Sequence, residues 1–138
     1  MSFITEEEFT SHVYEENIDI ISRDDPGKLE EAIDAAVSEA SGYMSRFDSD
    51  TLFAATGSER DPILVMYIKD IAKWHFMNIC NAGTDLTLVQ DRYEKAIKWF
   101  EKVQAGRVVP RNWPLINDEV SSPNYFHVKS NPKRGNYY

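Results

Sequence analysis

The chain has 138 residues, of which 42% are hydrophobic and 12% aromatic. This length suits one domain with a real core, and the hydrophobic content excludes a wholly disordered chain. The single cysteine, Cys80, cannot form an internal disulfide, so stability must come from packing, which is compatible with a reducing compartment. The N-terminal residues lack the basic and apolar regions of a secretion signal, so we expect no signal peptide.

The net charge of −8 is distributed unevenly along the chain. Residues 1–106 carry 10 Lys and Arg against 21 Asp and Glu, a net −11, whereas residues 107–138 carry 5 against 2, a net +3. An acidic body repels DNA phosphates, so we expect no specific nucleic-acid partner. The basic C-terminal segment is better matched to an acidic protein surface, such as the body of another copy.

Helical signals begin near the N-terminus. Thr5 and Glu8 have the spacing of a capping box, which predicts the start of a short helix that carries Phe9. The turn residues at 24–27 end this unit.

A second, amphipathic helix is predicted from an apolar stripe with three- and four-residue spacing that runs from Leu29 to Phe47. Its small residues would allow a neighbouring helix to approach closely, and Glu39 is assigned to the opposite, polar face. The residues from Asp48 to Arg60 are predicted to form a solvated loop. Asp48 and Asp50 begin like a calcium loop and Glu59 falls at its twelfth place, but the fifth and sixth positions do not fit, so a solvated loop is favoured over a weak cation site.

The segment Pro62–Cys80 is apolar almost all the way round, which is typical of a helix covered on several sides. Asp61 and Pro62 provide an N-cap carboxylate and a proline at the first helical position. Four polar or charged side chains in the middle of the segment exclude a membrane span: Lys69, Asp70, Lys73 and His75. We therefore predict a central helix, packed by helices of the same chain and by other copies.

A last helix is predicted from about Asp85 to Ala105, and Gly106 stands where a left-handed C-cap glycine belongs. Beyond it, prolines break any long helix and aromatic residues alternate with polar ones. We therefore divide the chain into a helical domain, residues 1–106, and an extended arm, residues 107–138, that orders on a partner surface. The residues of this arm expected to bind the partner are Arg107, Arg111, Trp113, Tyr125 and Phe126. The predicted fold class is all-α, a bundle of about four helices with an extended C-terminal arm.

The sequence gives little sign of catalytic or metal chemistry. His75, Asp70 and Cys80 share one helix, but their spacing does not suit a metal site, so we expect no metal and no cofactor. A carboxylate in an apolar helix needs a partner, and we predict that Asp70 pairs with Arg92 of the last helix and fixes the register of the two. Trp74 and Trp99 are open to two interpretations, core packing or interface anchors.

Four motifs in order resemble a known family. These are Ala36 to Phe47, then Asp70-Ile71-Ala72, then Arg92 to Trp99, and the closing Gly106. Together they look like the Mu-like prophage proteins of unknown function, which are similar to the small helical head–tail connector, head-completion or adaptor proteins of tailed phages. The positions that match the family are Gly42, Tyr43, Arg46, Phe47, Asp70, Tyr93, Trp99 and Gly106.

The resemblance implies a helical protomer that assembles with copies of itself as a ring between portal and tail, and no enzymatic activity. Its other implied partners are phage portal and tail-completion proteins. It also implies location in the virion, with assembly in the host cytoplasm, and a protomer that is monomeric when alone. An alternative from another class is a small helical interaction module that binds a partner peptide or a regulatory protein between its helices.

Overall fold

The computed structural model describes residues 3–9, 26–80 and 85–116. These residues form five α-helices: α1 (Glu6–Phe9), α2 (Pro26–Ser41), α3 (Ser49–Ala54), α4 (Pro62–Ile79) and α5 (Thr87–Gln104). A short 3-10 turn, Gly57–Glu59, lies between α3 and α4. Within the described ranges there is no strand beyond a single β-bridge, so the prediction of an all-α protein is confirmed.

The capping box at the start of α1 is present. The Glu8 backbone N–H donates to Thr5 Oγ1 at 3.3 Å, and the Thr5 N–H donates to Glu8 Oε2 at 3.1 Å. Each side chain thereby satisfies an amide that the first turn leaves without a helical partner. The same Glu8 carboxylate also binds the Arg60 guanidinium at 2.6 Å, so α1 is tied to the segment that precedes α4.

Helix α2 ends earlier than its apolar stripe. The stripe continues to Phe47, but the helix ends at Ser41 and is followed by turns at Gly42 and Tyr43. Met44 and Phe47 are nonetheless buried, because these turns return them to the core. The prediction that the helix follows the stripe is therefore wrong for its last turn and a half, since periodic burial does not require helical backbone.

Local signals place the start of α4 and the end of α5 as predicted. Asp61 caps α4 and accepts from the N–H groups of Ile63 and Leu64, at 2.9 and 3.4 Å. Gly106 follows α5 with a φ of +78°, in the left-handed region that a glycine C-cap uses.

The three long helices pack with alternating direction. Tyr67 and His75 of α4 contact Phe100 and Tyr93 of α5, which fixes these two helices as antiparallel. Glu39 of α2 meets Tyr93, and Tyr43, just beyond the end of α2, stacks on Phe100. The chain therefore runs here parallel to α5 and antiparallel to α4. Helix α4 contacts both of the others.

The core lies between these helices and is almost wholly apolar. Its largest side chains without solvent exposure include Phe9, Leu64, Ile68, Phe76 and Phe100. Burial of each such side chain stabilises the fold by about 1.5–3 kcal/mol. Ala32, Ala36 and Ala40 of α2 are also inaccessible to solvent, as expected for the small-residue face that allows close helix approach.

The segment predicted as a solvated loop contains regular structure. Asp48 caps α3 by accepting from the Thr51 N–H at 3.2 Å and from the Thr51 hydroxyl at 2.6 Å. These two bonds lower the pKa of the Asp48 carboxyl. The acidic residue that begins the calcium-like pattern is thus a helix cap, and the loop prediction is wrong for 49–54 and 57–59.

No helix among the described residues combines the length and apolar character needed to cross a membrane.

Candidate functional site

The segment from Arg107 to Ile116, called the strap below, returns from the end of α5 across the start of α4. Its anchor is Trp113, of which only 6% is exposed. The Trp113 ring meets Phe47 edge-on with centroids 5.2 Å apart, and it meets Trp99 at 5.8 Å. The indole N–H donates to Asp61 Oδ2 at 2.6 Å. One side chain thus contacts all three parts of the chain that meet at this end of the bundle.

Backbone hydrogen bonds hold the far end of the strap. The Asp48 N–H donates to the Pro114 carbonyl at 2.8 Å, and the Ile116 N–H donates to the Arg46 carbonyl at 3.2 Å. These bonds form an antiparallel bridge in which Phe47 and Leu115 are directly opposite each other. The side chain of Leu115 remains 67% exposed, whereas that of Phe47 is buried.

Trp113 departs from its predicted role. The sequence assigned it to an arm that binds a partner, whereas in the protomer it belongs to the hydrophobic core. The physical reason is that Phe47 and Trp99 leave a space at the end of the bundle that a large ring fills. Arg107 and Arg111 are exposed, as an arm residue should be.

Two other arm residues, Tyr125 and Phe126, lie outside the described residues. The division of the chain after Gly106 therefore stays a prediction. What the structure adds is that residues 107–116 pack against the helices.

Several positions of the family resemblance meet behind the strap. Arg46 Nη2 donates to the Val103 carbonyl at 3.0 Å, near the C-terminal end of α5. A Cβ atom at Gly106 would lie 3.2 Å from both terminal nitrogens of Arg46, so glycine leaves room for the guanidinium. Phe47 and Trp99 contact Trp113 from the two sides already described. Gly42 is exposed and belongs to the turn that ends α2.

A second polar arrangement joins all three long helices. The Glu39 carboxylate contacts His75 Nε2 through Oε2 at 2.5 Å and accepts from the Tyr93 hydroxyl through Oε1 at 2.5 Å. Trp74 stacks on Tyr93 with centroids 5.3 Å apart. Burial and the hydrogen bond to Glu39 raise the pKa of Tyr93.

The sequence patterns did not predict this cluster. Glu39 was expected on the polar face of α2, but its side chain is half-buried and contacts His75 and Tyr93. The helical spacing indicates that Glu39 borders the apolar stripe, because it lies three residues after Ala36 and four before Tyr43, and both of these are stripe residues. Trp74 and Trp99 are half-buried and engaged in ring contacts within the chain, which favours the core-packing interpretation for both.

Asp70 and Arg92 are not brought together as predicted. Asp70 is buried in α4, Arg92 is exposed on α5, and the ion pairs between described residues do not include one between them. Both side chains instead act on Lys73. Burial and the positive charge of Arg92 lower the pKa of Lys73, and the negative charge of Asp70 opposes them. Ring contacts, such as that of Trp74 with Tyr93, join α4 and α5.

Exposed apolar side chains are concentrated at two places. Ile63 and Met66, one helical turn apart on α4, are 50% and 44% exposed, and Val109, Leu115 and Ile116 are exposed on the strap. Ile79 and Leu88 are exposed near the opposite end of the bundle. A shallow cavity of about 370 Å³ lies beside the bridge, lined by Phe47, Asp48, Ser49, Asp50 and Ile116.

Across the described part of the chain, no group of three His, Cys, Asp or Glu side chains could hold a metal ion. The chain matches no family model, no curated protein and no solved structure in comparisons with each. The class that the fold defines is thus an all-α protein whose distinctive sites are the Trp113 anchor and the Glu39 cluster.

Proposed function

We propose that this chain is a structural, non-enzymatic subunit that assembles with copies of itself into a ring between portal and tail, as a head–tail connector of a tailed phage or prophage. The observation that carries the proposal is the exposed apolar pair on α4, Ile63 and Met66. Helix α4 contacts α2 and α5 on its other sides, and this pair would give it a further neighbour in an assembly. The resemblance described above supplies the identity of that assembly.

Charge supports contact between unlike surfaces of two copies. Two acidic bodies repel each other, so a head-to-head dimer is disfavoured. The exposed strap carries Arg107 and Arg111, and its neighbouring apolar residue Val109 is also exposed. Contact between this basic surface and the acidic body of the next copy is heterologous, and such contacts generate rings when the rotation closes.

The proposal is tested by native mass spectrometry over a concentration series, with and without a phage portal protein. The wild-type chain should form higher-order species, alone or on the portal. Ile63→Glu and Met66→Glu should each weaken assembly by roughly tenfold or more in concentration, because each removes burial of about 1.5–3 kcal/mol. Ser38→Glu, which adds the same charge at an exposed position of α2, is the matched control.

Unchanged assembly of both α4 variants would contradict the proposed contact. A wild-type chain that stays monomeric at all concentrations and does not bind the portal would contradict the connector function itself.

The second candidate function is a module that binds an extended peptide. The cavity beside the bridge favours it, because its apolar floor of Phe47 and Ile116 adjoins the acidic rim of Asp48 and Asp50. Such a site would select a peptide with a basic side chain. Tight capture of such a peptide by a stable monomer, lost in Asp50→Lys and retained in Glu59→Lys, would favour the module over the connector.

A further inference from the structure

The strap is attached to its own body mainly at its two ends. At the start, the N–H groups of Arg107 and Val108 both donate to the Lys102 carbonyl. At the far end are the Trp113 anchor and the bridge to residues 46–48. Between them, none of the hydrogen bonds of the described residues involves positions 109–112, and Val109 and Arg111 are exposed. The strap is therefore a short free connection that leads to a strong anchor.

The site that receives the anchor contains no strap residue. Phe47 follows α2, Asp61 caps α4, and Trp99 belongs to α5. All three are positioned by the bundle. The site would accept Trp113 from another copy with the same contacts that it makes to its own.

The free connection is also stiff and locally strained. Asn112, in a turn, has a φ of +66°, in the left-handed region that asparagine adopts at less cost than other non-glycine residues, and Pro110 and Pro114 restrict the backbone on either side. A short hinge under strain favours exchange of a segment between copies, because the open form relieves the strain while the anchor contacts are kept.

We propose that the strap is exchanged between copies, so that Trp113 of one chain occupies the Phe47–Asp61–Trp99 site of the next. The inference deepens the proposed function and depends on it, since it identifies which segment links neighbouring subunits. The basic strap would lie on an acidic body, so charge does not oppose the exchange. In a ring each chain gives its anchor to one neighbour and receives an anchor from the other, which is a head-to-tail contact.

Mixed single-cysteine variants test the exchange directly. In a Cys80→Ala background, one chain carries Phe47→Cys and another, isotope-labelled, carries Leu115→Cys. These two positions face each other in the bridge as a non-hydrogen-bonded pair, a geometry in which side chains are close enough to form a disulfide. Neither chain can close the bond alone, so a mixed disulfide heterodimer requires the strap of one copy on the body of the other.

Exchange predicts heterodimer formation faster by on the order of a hundredfold than in a control mixture of Phe47→Cys with Leu88→Cys, because a docked segment has an effective concentration in the millimolar range. Leu88 is exposed at the other end of the bundle. Adding Trp113→Ala to the Leu115→Cys chain should remove the excess. Equal rates in the test and control mixtures would overturn the proposal.

A second variant guards against destabilisation by Phe47→Cys. A Gly-Gly-Ser insertion after Val109 leaves the anchor and its site intact but lets the strap close on its own body without strain. Native mass spectrometry should show it shifted toward the monomer relative to wild type, and an unchanged distribution would count against exchange. Rings that form without the mixed disulfide would refute exchange and leave the connector function standing. Exchange that yields only closed dimers, which do not respond to a portal, would support exchange and refute the connector function.

Discussion

Asp61 and Trp113 are joined by a hydrogen bond of 2.6 Å between side chains 52 positions apart in the sequence. The same carboxylate caps α4 through its other oxygen, Oδ1. The start of α4 and the position of the strap thus depend on one side chain. This coupling explains why a segment rich in proline and outside any helix packs as part of the core.

Removal of either partner should have separable effects. Asp61→Ala loses both the cap and the acceptor, and we expect a loss of about 2–3 kcal/mol in the free energy of unfolding. Trp113→Phe keeps a ring in the site but loses the hydrogen bond and part of the buried indole, with an expected loss of about 2–3 kcal/mol. Urea unfolding of the two single variants and the double variant measures the coupling. Additive losses would show that cap and anchor are independent.

The Glu8–Arg60 pair should make stability depend on acid pH. The hydrogen bonds from Arg60 lower the pKa of Glu8 from 4.5 to about 2. Because the folded-state pKa is lower than the unfolded one, the contribution is complete above pH 4.5 and is lost as the pH falls toward 2. We expect it to be about 1 kcal/mol, since 32% of the Glu8 side chain is exposed and water screens the pair.

The measurement is thermal unfolding of Glu8→Gln and of the wild type between neutral and acid pH. The variant should be less stable at pH 6 and equal to wild type near pH 2. Glu6→Gln, at an exposed position of the same helix, is the control and should follow the wild type throughout. A pH-independent difference would mean that charge is not the source of the stabilisation.

Two glycines with positive φ allow backbone strain to be separated from steric contact. Gly57 has a φ of +59° and only open space where a Cβ atom would lie, so Gly57→Ala should cost about 1 kcal/mol from the backbone alone. Gly106→Ala carries the same strain and also places a methyl group 3.2 Å from the Arg46 guanidinium. It should therefore cost more, because the Arg46–Val103 bond must lengthen or break. Equal losses in chemical denaturation would show that Arg46 moves aside freely.

The Glu39 cluster should weaken at alkaline pH. Burial and the bond to Glu39 raise the pKa of Tyr93 above its ordinary value of 10.0. Since the folded-state pKa is the higher one, the stabilisation is complete below pH 10 and declines as the pH rises above it. The pKa of Tyr43 is raised as well, by burial and by the charges of Glu39 and Glu101. Spectrophotometric titration should therefore show late-ionising tyrosine absorbance in the wild type, and Tyr93→Phe should lose the part of it that is due to Tyr93.

A double-mutant cycle gives the strength of the bond. Tyr93→Phe and Glu39→Gln should each lose about 1–2 kcal/mol, with a coupling close to that of one charged hydrogen bond. Tyr43→Phe is the matched control, because Tyr43 also lies near Glu39 without an observed hydrogen bond to it. A coupling of zero would place Tyr93 and Glu39 apart in solution.

The structure contains the helix start and stop signals that the sequence predicted from neighbouring residues. The Thr5–Glu8 capping box, the Asp61–Pro62 start of α4 and the Gly106 end of α5 all stand where the sequence placed them. Each depends on the hydrogen-bonding needs of one helical turn, which are fixed by three or four adjacent side chains. The end of α2 was misplaced because burial of Met44 and Phe47 continues its period after the helix has stopped.

Contacts between distant residues were not accessible in the same way. The sequence predicted a polar contact between α4 and α5, formed by Asp70 and Arg92. In the folded chain the polar contact between helices is instead made by Glu39, which binds His75 and Tyr93. A small rotation of a helix about its axis decides which polar side chains face a neighbour, and no local pattern records that rotation.

The amino-acid sequence by itself determined the all-α class, the starts of α1 and α4, the end of α5 and the acidic character of the body, because these follow from composition and from interactions within a turn of chain. Only the tertiary structure decided that Trp113 is a core residue and that Asp61 holds it. The physical reason is that burial of a large ring depends on the space left where three helix ends meet, and that space exists only after the helices have packed.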